Sequence, residues 1–250
     1  MVIRSMLVFL LLLVSAVPAA LAEEASPKLA GVGVVMMTSP YHGAGSAVMP
    51  VPSFAWDYKG FYIRGIEAGY AFYDQGGLKL SAITSPRMMG YSSEDSPALA
   101  GMEDRERSLD AGLRAELELP FGKDLSVNAK FLNDTMSRYD GREGELSLEQ
   151  FVKGKFFRLR LSGGVKAQSS ELTGYYYGVR GAEEGFDRPA YSPGMAINPF
   201  VGIMLSSGFS KEWPVILRVG VDFLDPVIRR SPIVEDSYTA TAMLGFARRF

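Results

Sequence analysis

Apolar and polar residues alternate most clearly between Arg107 and Leu119. Every second side chain from Leu109 to Leu119 is apolar, and the residues between them are charged, polar or glycine. A period of two places these sets on opposite faces of a β-strand, whereas a helix would scatter both around its axis. The segment is long enough for a tilted membrane strand, which needs about 9–11 residues. A half-buried strand of a soluble sandwich has the same pattern, so the interpretation depends on recurrence.

The same period recurs along most of the chain, and no helical period is sustained after the N-terminal segment. The other predicted strands are 28–37, 51–58, 61–64, 66–73, 78–84, 124–133, 145–152, 156–167, 197–205, 215–223 and 238–246. Twelve strands result if the chain reverses at Arg64-Gly65. Ten result if 61–73 is one kinked strand and the glycine-rich first strand is lost. Both numbers are even, as a barrel with both termini in the periplasm requires.

The connections between these segments differ in length. Short turns near Lys59, Gly76, Gly122, Gly154 and Lys211 alternate with longer loops. Outer-membrane barrels have short periplasmic turns and longer outer loops. We therefore predict an all-β fold, a transmembrane antiparallel β-barrel of about 12 strands with 10 as the alternative. A soluble β-sandwich is the competing fold.

The two ends of the chain carry targeting signals. Residues 1–22 combine a charged start, a short apolar core and small residues up to Ala22, which predicts a secretory signal peptide cleaved after Ala22. Residues 23–250 then form a single outer-membrane β-barrel. At the other end, Phe246 and Phe250 resemble the assembly signal read by the barrel-insertion machinery, and Arg248 departs from that pattern.

Composition narrows the classes of function. The 26 basic and 28 acidic residues include no basic block, so no nucleic-acid partner is predicted. The chain has no cysteine and one histidine, which argues against disulfides and against a transition-metal site. We predict no cofactor. We expect the lipid of the outer membrane to be one of the partners of the protein.

The polar face of the predicted strands carries many full charges, which a barrel would enclose in its lumen. These charges belong to Arg114, Glu116, Lys130, Arg158, Arg160, Lys166, Arg218 and Asp222. One interpretation is a network of opposite charges that fills and rigidifies a small barrel. The other is a polar conduit that selects solutes. We favour the network, because a barrel of this size leaves little free bore.

Three groups of residues were considered as chemical or binding sites. His42 lies in a glycine-rich loop without a nucleophile motif, which argues against a hydrolytic triad. Glu103, Asp104 and Glu106 lack an established calcium-ligand spacing. The adjacent tyrosines 175–177 lie in the longest predicted loop, as anchors at the membrane interface or as a binding surface.

Several short stretches resemble the MipA/OmpV family of outer-membrane proteins. They are 39–43 (SPYHG), 101–105 (GMEDR) leading into Ser108, 175–179 (YYYGV), 191–194 (YSPG) and 231–232 (SP). Their order and spacing are more specific than any one of them. The resemblance implies an outer-membrane barrel in a Gram-negative bacterium and, for one member, a scaffold that joins a lytic transglycosylase to a bifunctional penicillin-binding protein. The family has no agreed catalytic residues.

These observations lead to a functional expectation. We expect a non-enzymatic docking or scaffold protein for murein-synthesising and murein-cleaving enzymes of the cell envelope. Its periplasmic turns share a basic character through Lys59, Lys123, Lys153 and Lys211. The alternatives are a narrow solute channel and a surface adhesin that uses the outer loops.

Overall fold

The computed structural model describes residues 28–122, 124–208 and 212–250. The predicted signal peptide and its cleavage site at Ala22 lie outside the described residues. Twelve antiparallel strands form a closed barrel, in which each strand pairs with its neighbours along the chain and the first pairs with the last. The strands are β1 (Leu29–Met37), β2 (Ala47–Tyr58), β3 (Phe61–Arg64), β4 (Glu67–Gln75), β5 (Leu78–Arg87), β6 (Ser108–Glu118), β7 (Leu125–Asp134), β8 (Arg142–Lys153), β9 (Phe157–Gln168), β10 (Ala196–Gly208), β11 (Pro214–Phe223) and β12 (Tyr238–Arg249).

The structure shows that the chain reverses direction at Arg64-Gly65, as the count of twelve strands requires. β3 and β4 form a hairpin around Gly65, whose φ of 70° lies in the left-handed region that favours glycine. The prediction of twelve strands is therefore confirmed, and the ten-strand alternative is wrong. The first strand is also retained, since β1 pairs with β2 and with β12 over its whole length.

The apolar face of the sheet points outward. Val32 is 70% exposed, and Leu113, Leu146 and Ile203 are also exposed, whereas inward-facing polar side chains such as Asn128 are buried. A soluble barrel would show the opposite arrangement. Lipid covers such an apolar belt in an outer-membrane barrel, so the prediction of a membrane barrel is confirmed and the sandwich is wrong. No helix in the described ranges is long and apolar enough to span a membrane.

The long connections all lie at the end of the barrel opposite the termini, which is the outer end. They comprise residues 38–46, 88–107, 135–141, 169–195 and 224–237 and are called the outer plug. The plug contains the α-helices α1 (Ser170–Tyr177) and α2 (Pro226–Arg229) and the 3₁₀ turns Pro97–Leu99 and Gly181–Glu183. Its connections converge on one packed hydrophobic core, with Tyr41, Tyr91, Tyr139, Tyr177 and Val234 each supplied by a different connection.

The helix α1 was not predicted from the sequence, in which no helical period is sustained after the N-terminal segment. Its eight residues are too short to establish a helical period in the sequence. Leu172 and Tyr176, four residues apart, are both buried, as are Thr173 and Tyr177. Packing within the plug thus selects the helix, because isolated helices of this length are not stable in water.

Candidate functional site

A cluster of ion pairs holds the short β3–β4 hairpin against the inside of the barrel. Arg114 on β6 contacts the carboxylate of Glu67 at 2.5 Å and that of Glu116 at 3.7 Å. Arg64 at the hairpin tip contacts Glu116 at 3.5 Å. The hairpin and β6 are not adjacent in the sheet, since β5 lies between them. The cluster therefore spans three strands and fixes a hairpin that is too short to cross the membrane.

Other ion pairs bridge neighbouring strands or cross the lumen. Lys130 contacts Glu145 at 3.1 Å, and Arg160 contacts Glu149 at 3.4 Å. Lys166 on β9 reaches the carboxylate of Asp222 on β11, across the intervening strand β10. These contacts form a network of opposite charges, and its role in rigidifying the barrel stays a prediction.

Two of the predicted lumen charges, Arg158 and Arg218, form no close ion pair among the described residues. Arg158 lies near the periplasmic end of β9, beside Lys153 in register. Arg218 stands in register with Met204, whose other neighbour is Arg160. Arg218 is exposed although it faces inward, so water reaches this level of the lumen.

A buried polar cluster that was not predicted from the sequence lies where the lumen meets the outer plug. The guanidinium of Arg87 donates to Asp110 at 2.7 Å and to Glu143 at 3.1 Å. Tyr139 of the plug donates its hydroxyl hydrogen to Asp110 at 2.5 Å. Gln168 donates to Glu143 at 2.8 Å. The alternation of polar residues marks these positions, but only the register between four strands shows that they meet.

Tyr175, Tyr176 and Tyr177 hold the plug together rather than forming an exposed surface. Tyr176 and Tyr177 are fully buried, so neither the membrane-anchor nor the binding-surface interpretation applies to them. They end α1, where the last carbonyl groups of a helix lack partners within the helix. Side chains from three other connections supply these partners. The carbonyls of 175, 176 and 177 accept hydrogen bonds from Arg105 (2.7 Å), Tyr41 (3.1 Å) and Ser231 (2.6 Å).

Burial shifts the pKa of four tyrosines in the plug. Burial raises the pKa of Tyr91 to about 12, against a smaller lowering by the positive charge of Arg105. Burial also raises the pKa of Tyr41, Tyr176 and Tyr177 above their ordinary value. All four side chains are therefore neutral hydrogen-bond donors at physiological pH.

The candidate catalytic and calcium-binding residues lie apart from one another in the outer plug. His42 Nδ1 lies 3.5 Å from the carboxylate of Glu235, and both side chains are exposed. Glu103 pairs with Arg180, and Glu106 pairs with Arg138 at 2.6 Å. Asp104 accepts hydrogen bonds from residues 92 and 93, and the amide of residue 93 lowers its pKa. In the described part of the chain, no three His, Cys, Asp or Glu side chains are grouped to hold a metal ion.

The periplasmic rim carries exposed aromatic rings beside basic groups. Phe121 in the β6–β7 turn is 82% exposed, and Phe156 in the β8–β9 turn is 74% exposed. The amine of Lys155 lies 5.2 Å from the ring centre of Phe156. Arg248 lies 5.4 Å from the ring centre of Phe250 and 5.7 Å from that of Trp213. Of the predicted basic turn residues, Lys59 and Lys153 are described and exposed, whereas Lys123 and Lys211 lie outside the described ranges.

The C-terminal strand places the predicted assembly residues on its outer face and at its end. Phe246 faces outward and is exposed. The backbone amide of Phe250 donates to the carbonyl of Lys28 at 2.9 Å, which closes the barrel at the rim. Their role as a signal for the insertion machinery stays a prediction.

Comparison with known proteins identifies relatives over nearly the whole chain. Residues 30–250 match the family described as MltA-interacting protein MipA. The MltA-interacting protein of Escherichia coli K12 is 26% identical over 226 residues, which cover 88% of this chain and 89% of that protein. The outer membrane protein OmpV of Vibrio cholerae is 24% identical over 170 residues, which cover 67% of this chain and 65% of that protein. These relatives are named as interacting or outer-membrane proteins rather than as enzymes.

Solved structures with a similar barrel have very different sequences. An outer membrane channel of Pseudomonas putida F1 is 10% identical, with a TM-score of 0.43, and the match covers 94% of this chain and 100% of that one. OmpT of Vibrio cholerae is 8% identical, with a TM-score of 0.37, and the match covers 92% of this chain and 100% of that one.

Proposed function

Since this chain belongs to the MipA family, we propose that it is an outer-membrane scaffold whose periplasmic rim docks murein enzymes. The relative in Escherichia coli is named for its interaction with MltA. In this proposal the partners are a murein-cleaving lytic transglycosylase and a bifunctional penicillin-binding protein, and the barrel itself catalyses no reaction.

One observation carries the proposal, namely the contrast between the two ends of the barrel. The outer end is covered by a plug with its own packed core, whereas the periplasmic end presents exposed rings in its turns. Phe121 and Phe156 lie beyond the ends of their strands, at the side where murein enzymes work. Aromatic and arginine side chains are the groups that most often dominate the energy of protein interfaces.

The charge of the rim supports the same partner class. Lys59, Lys153, Lys155, Arg248 and Arg249 are exposed around the periplasmic end. Basic side chains steer an acidic protein surface toward the rim and raise the association rate. Asp74, Glu118 and Glu212 are exposed at the same end and Lys153 pairs with Asp124, so the docking surface that we propose has two aromatic centres among charges of both signs.

The outer plug argues against the alternative of a permanently open channel. Tyr41, Tyr139 and Tyr177 from three connections meet over the lumen, and Tyr139 bonds directly to Asp110 on the lumen wall. Conduction would require this packed layer to move. The adhesin alternative has one supporting feature, the fully exposed ring of Phe186 at the tip of an outer hairpin.

A binding experiment with matched aromatic variants tests the proposal. The purified barrel in nanodiscs is immobilised, and binding of the purified lytic transglycosylase is measured for the wild type, for F121S combined with F156S, and for F186S. Loss of a central aromatic side chain costs an interface 2 kcal/mol or more, so we expect at least about thirtyfold weaker binding for the double variant. Variant F186S removes an equally exposed ring from the outer side and should bind as the wild type does. Equal binding by all three proteins would contradict docking at the rim.

A further inference from the structure

The barrel wall is incomplete in its outer half between β2 and β5. The four residues of β3 rise about 13 Å, whereas the apolar band of a membrane barrel is about 25 Å tall. Beyond the β3–β4 turn, residues 47–54 of β2 pair only with β1, and residues 85–87 of β5 pair only with β6. In these described segments, two strand edges therefore face each other without a ladder between them.

The gap lies at the depth of the lipid. Along the β1–β2 ladder, Pro52 is in register with Val32 and Pro50 with Val34. Both valines are exposed on the apolar outer belt, at 70% and 50%. The β2 edge consequently faces the gap at the same height as side chains that contact lipid.

The sequence of β2 is suited to an edge without a partner. The carbonyl of Phe54 accepts a hydrogen bond from the amide of Gly65 at 2.7 Å, on the side away from β1. Backbone groups alternate sides along a strand, so those of Pro50 and Pro52 also point toward the gap. Proline has no N–H group, and these positions therefore leave no donor without a partner.

The facing edge on β5 shows the same adaptation. The carbonyl of Leu109 on β6 accepts from the amide of Thr135 at 3.1 Å, so the backbone of Leu109 points away from β5. Its partner in register, Pro86, therefore points its backbone away from β6 and toward the gap. Three prolines thus line the two edges, and their carbonyl groups are left as acceptors. Such carbonyls are tolerated at membrane depth where they line a cavity that holds hydrogen-bond donors.

A cavity of about 540 Å³ lies behind the gap, within the range of small-molecule sites. Both edges contribute to its wall, through Met49 of β2 and through Ser85 and Pro86 of β5. The apolar part of the lining is rich in methionine, a flexible side chain that adapts to apolar ligands. Four methionines, Met37, Met49, Met88 and Met89, belong to it, together with Pro86 and the aromatic ring of Tyr177.

The polar part of the lining is negative. It contains four carboxylates against two guanidinium groups, and the sum is still −1 when the Lys166 partner of Asp222 is included. The carboxylates are Asp95, Asp110, Glu143 and Asp222, and the guanidinium groups are Arg87 and Arg107. Negative charge and free carbonyl acceptors both favour a ligand that carries positive charge on N–H groups.

We propose that this cavity binds an amphiphilic amine that enters sideways from the outer leaflet of the membrane. The alkyl chain lies among the methionines and beside Pro86, and the ammonium group lies in the negative part of the lumen. This site lies at the outer side of the barrel and functions independently of docking at the periplasmic rim.

The first test asks whether the gap opens to lipid. Because the chain has no cysteine, S85C and S162C each accept a single bimane label. Both serines face the lumen and are half-buried, but Ser85 borders the gap and Ser162 lies on β9 in the closed wall. In liposomes that contain doxyl lipids, we expect quenching at position 85 and none at 162. Equal quenching at both positions, or none at position 85, would show that the gap between β2 and β5 does not open to lipid.

The second test identifies the ligand. Dodecylammonium is titrated into liposomes that contain the S85C-labelled barrel, and a saturable change in fluorescence reports binding. Variant M49K places a cation in the cavity and should weaken binding at least about tenfold, because juxtaposed like charges cost several kcal/mol. Variant M49Q changes polarity without charge and should retain the binding. A heat-modifiable band in gel electrophoresis verifies that each variant is folded. Binding of dodecyl sulfate as tight as that of dodecylammonium, or equal binding by M49K and M49Q, would overturn the assignment.

Discussion

Arg105 and Glu183 form a two-pronged ion pair in the interior of the outer plug. One terminal nitrogen of Arg105 lies 2.7 Å from Oε1 and 2.8 Å from Oε2 of Glu183, and the side chains are only 1% and 3% exposed. The pair joins two connections that are 78 residues apart in the chain. Arg105 also donates to the carbonyl of Tyr175 at the end of α1, so this single guanidinium contacts two separate parts of the 169–195 connection.

Removal of one partner from this pair should open the plug. Variant R105Q leaves the carboxylate of Glu183 buried without its counterion, which costs about 3–5 kcal/mol. We expect faster hydrogen exchange and faster proteolysis in residues 88–107 and 169–195, with the barrel band in gels unchanged. Variant R138Q disrupts an exposed pair with Glu106 and should cost at most about 1 kcal/mol. Equal protection in R105Q and R138Q would contradict the structural role of the pair.

The same pair makes the plug sensitive to acid. Burial raises the pKa of Glu183, but hydrogen bonds from the amide of residue 180 and from Arg105 outweigh it, and the net pKa is lowered. A lowered pKa contributes stability that is present above the ordinary value of about 4.3 and is lost as the pH falls through the lowered value. The protection of plug amides, measured relative to their intrinsic exchange rates, should therefore be constant with respect to the Glu183 charge between pH 7 and 5. It should decrease below about pH 4. In E183Q this acid step should be absent. An unchanged acid step in E183Q would assign it to other groups.

Tyr177 should keep the lumen closed from outside. Its side chain is buried in the plug, borders the lumen cavity, and accepts Ser231 at its carbonyl. Truncation to serine in Y177S leaves a cavity and costs about 3–5 kcal/mol within the plug. In planar bilayers we expect brief conducting events for Y177S and none for the wild type. The partly exposed neighbour offers the control Y175S, in which the events should be rarer. Steady open events in the wild type that R160E abolishes would instead support a channel.

The ion-pair cluster under the β3–β4 hairpin should stabilise the barrel. Variant R114Q leaves Glu67 and Glu116 in the lumen with only Arg64 to balance them, so we expect a loss of about 3 kcal/mol in the free energy of unfolding. Arg218 forms no close ion pair among the described residues and interacts with Glu67 and Glu149 only at longer range, so R218Q should change the unfolding free energy by less than about 1 kcal/mol. Urea titration of the two variants in detergent measures this difference. If R218Q lowered the free energy of unfolding as much as R114Q does, the stabilising role of the ion-pair cluster would be contradicted.

The alternation of residues predicted the strands, and the unequal connections together with the signals at the two ends of the chain predicted that the apolar face points outward. The period of two identified all twelve segments, and Gly65 indicated the extra reversal. Strand ends were less accurate, since β2 begins at Ala47 and β8 at Arg142, upstream of the apolar segments that marked them. The outer end of β2 is apolar on both faces and that of β8 is largely charged, so the period of two fades there while the ladder continues.

The plug and the lumen clusters could not be predicted from local pattern. The helix α1 has eight residues and owes its formation to contacts with connections that are distant in the chain. Arg87 meets Asp110 and Glu143 only because the register of β5, β6, β7 and β8 brings them to one level. The prolines of β2 are present in the sequence, but the sequence does not show that they lie on a strand edge without hydrogen bonds to β5.

Photo-crosslinking at the rim in living cells tests the scaffold most directly. A photoreactive phenylalanine analogue replaces Phe156 in one strain and Phe186 in another, so that an exposed ring is probed on each side of the membrane. If murein enzymes dock at the periplasmic rim, illumination should link position 156, and not position 186, to a lytic transglycosylase or to a bifunctional penicillin-binding protein. Recovery of neither murein enzyme at position 156, in cells where the barrel is assembled, would contradict it.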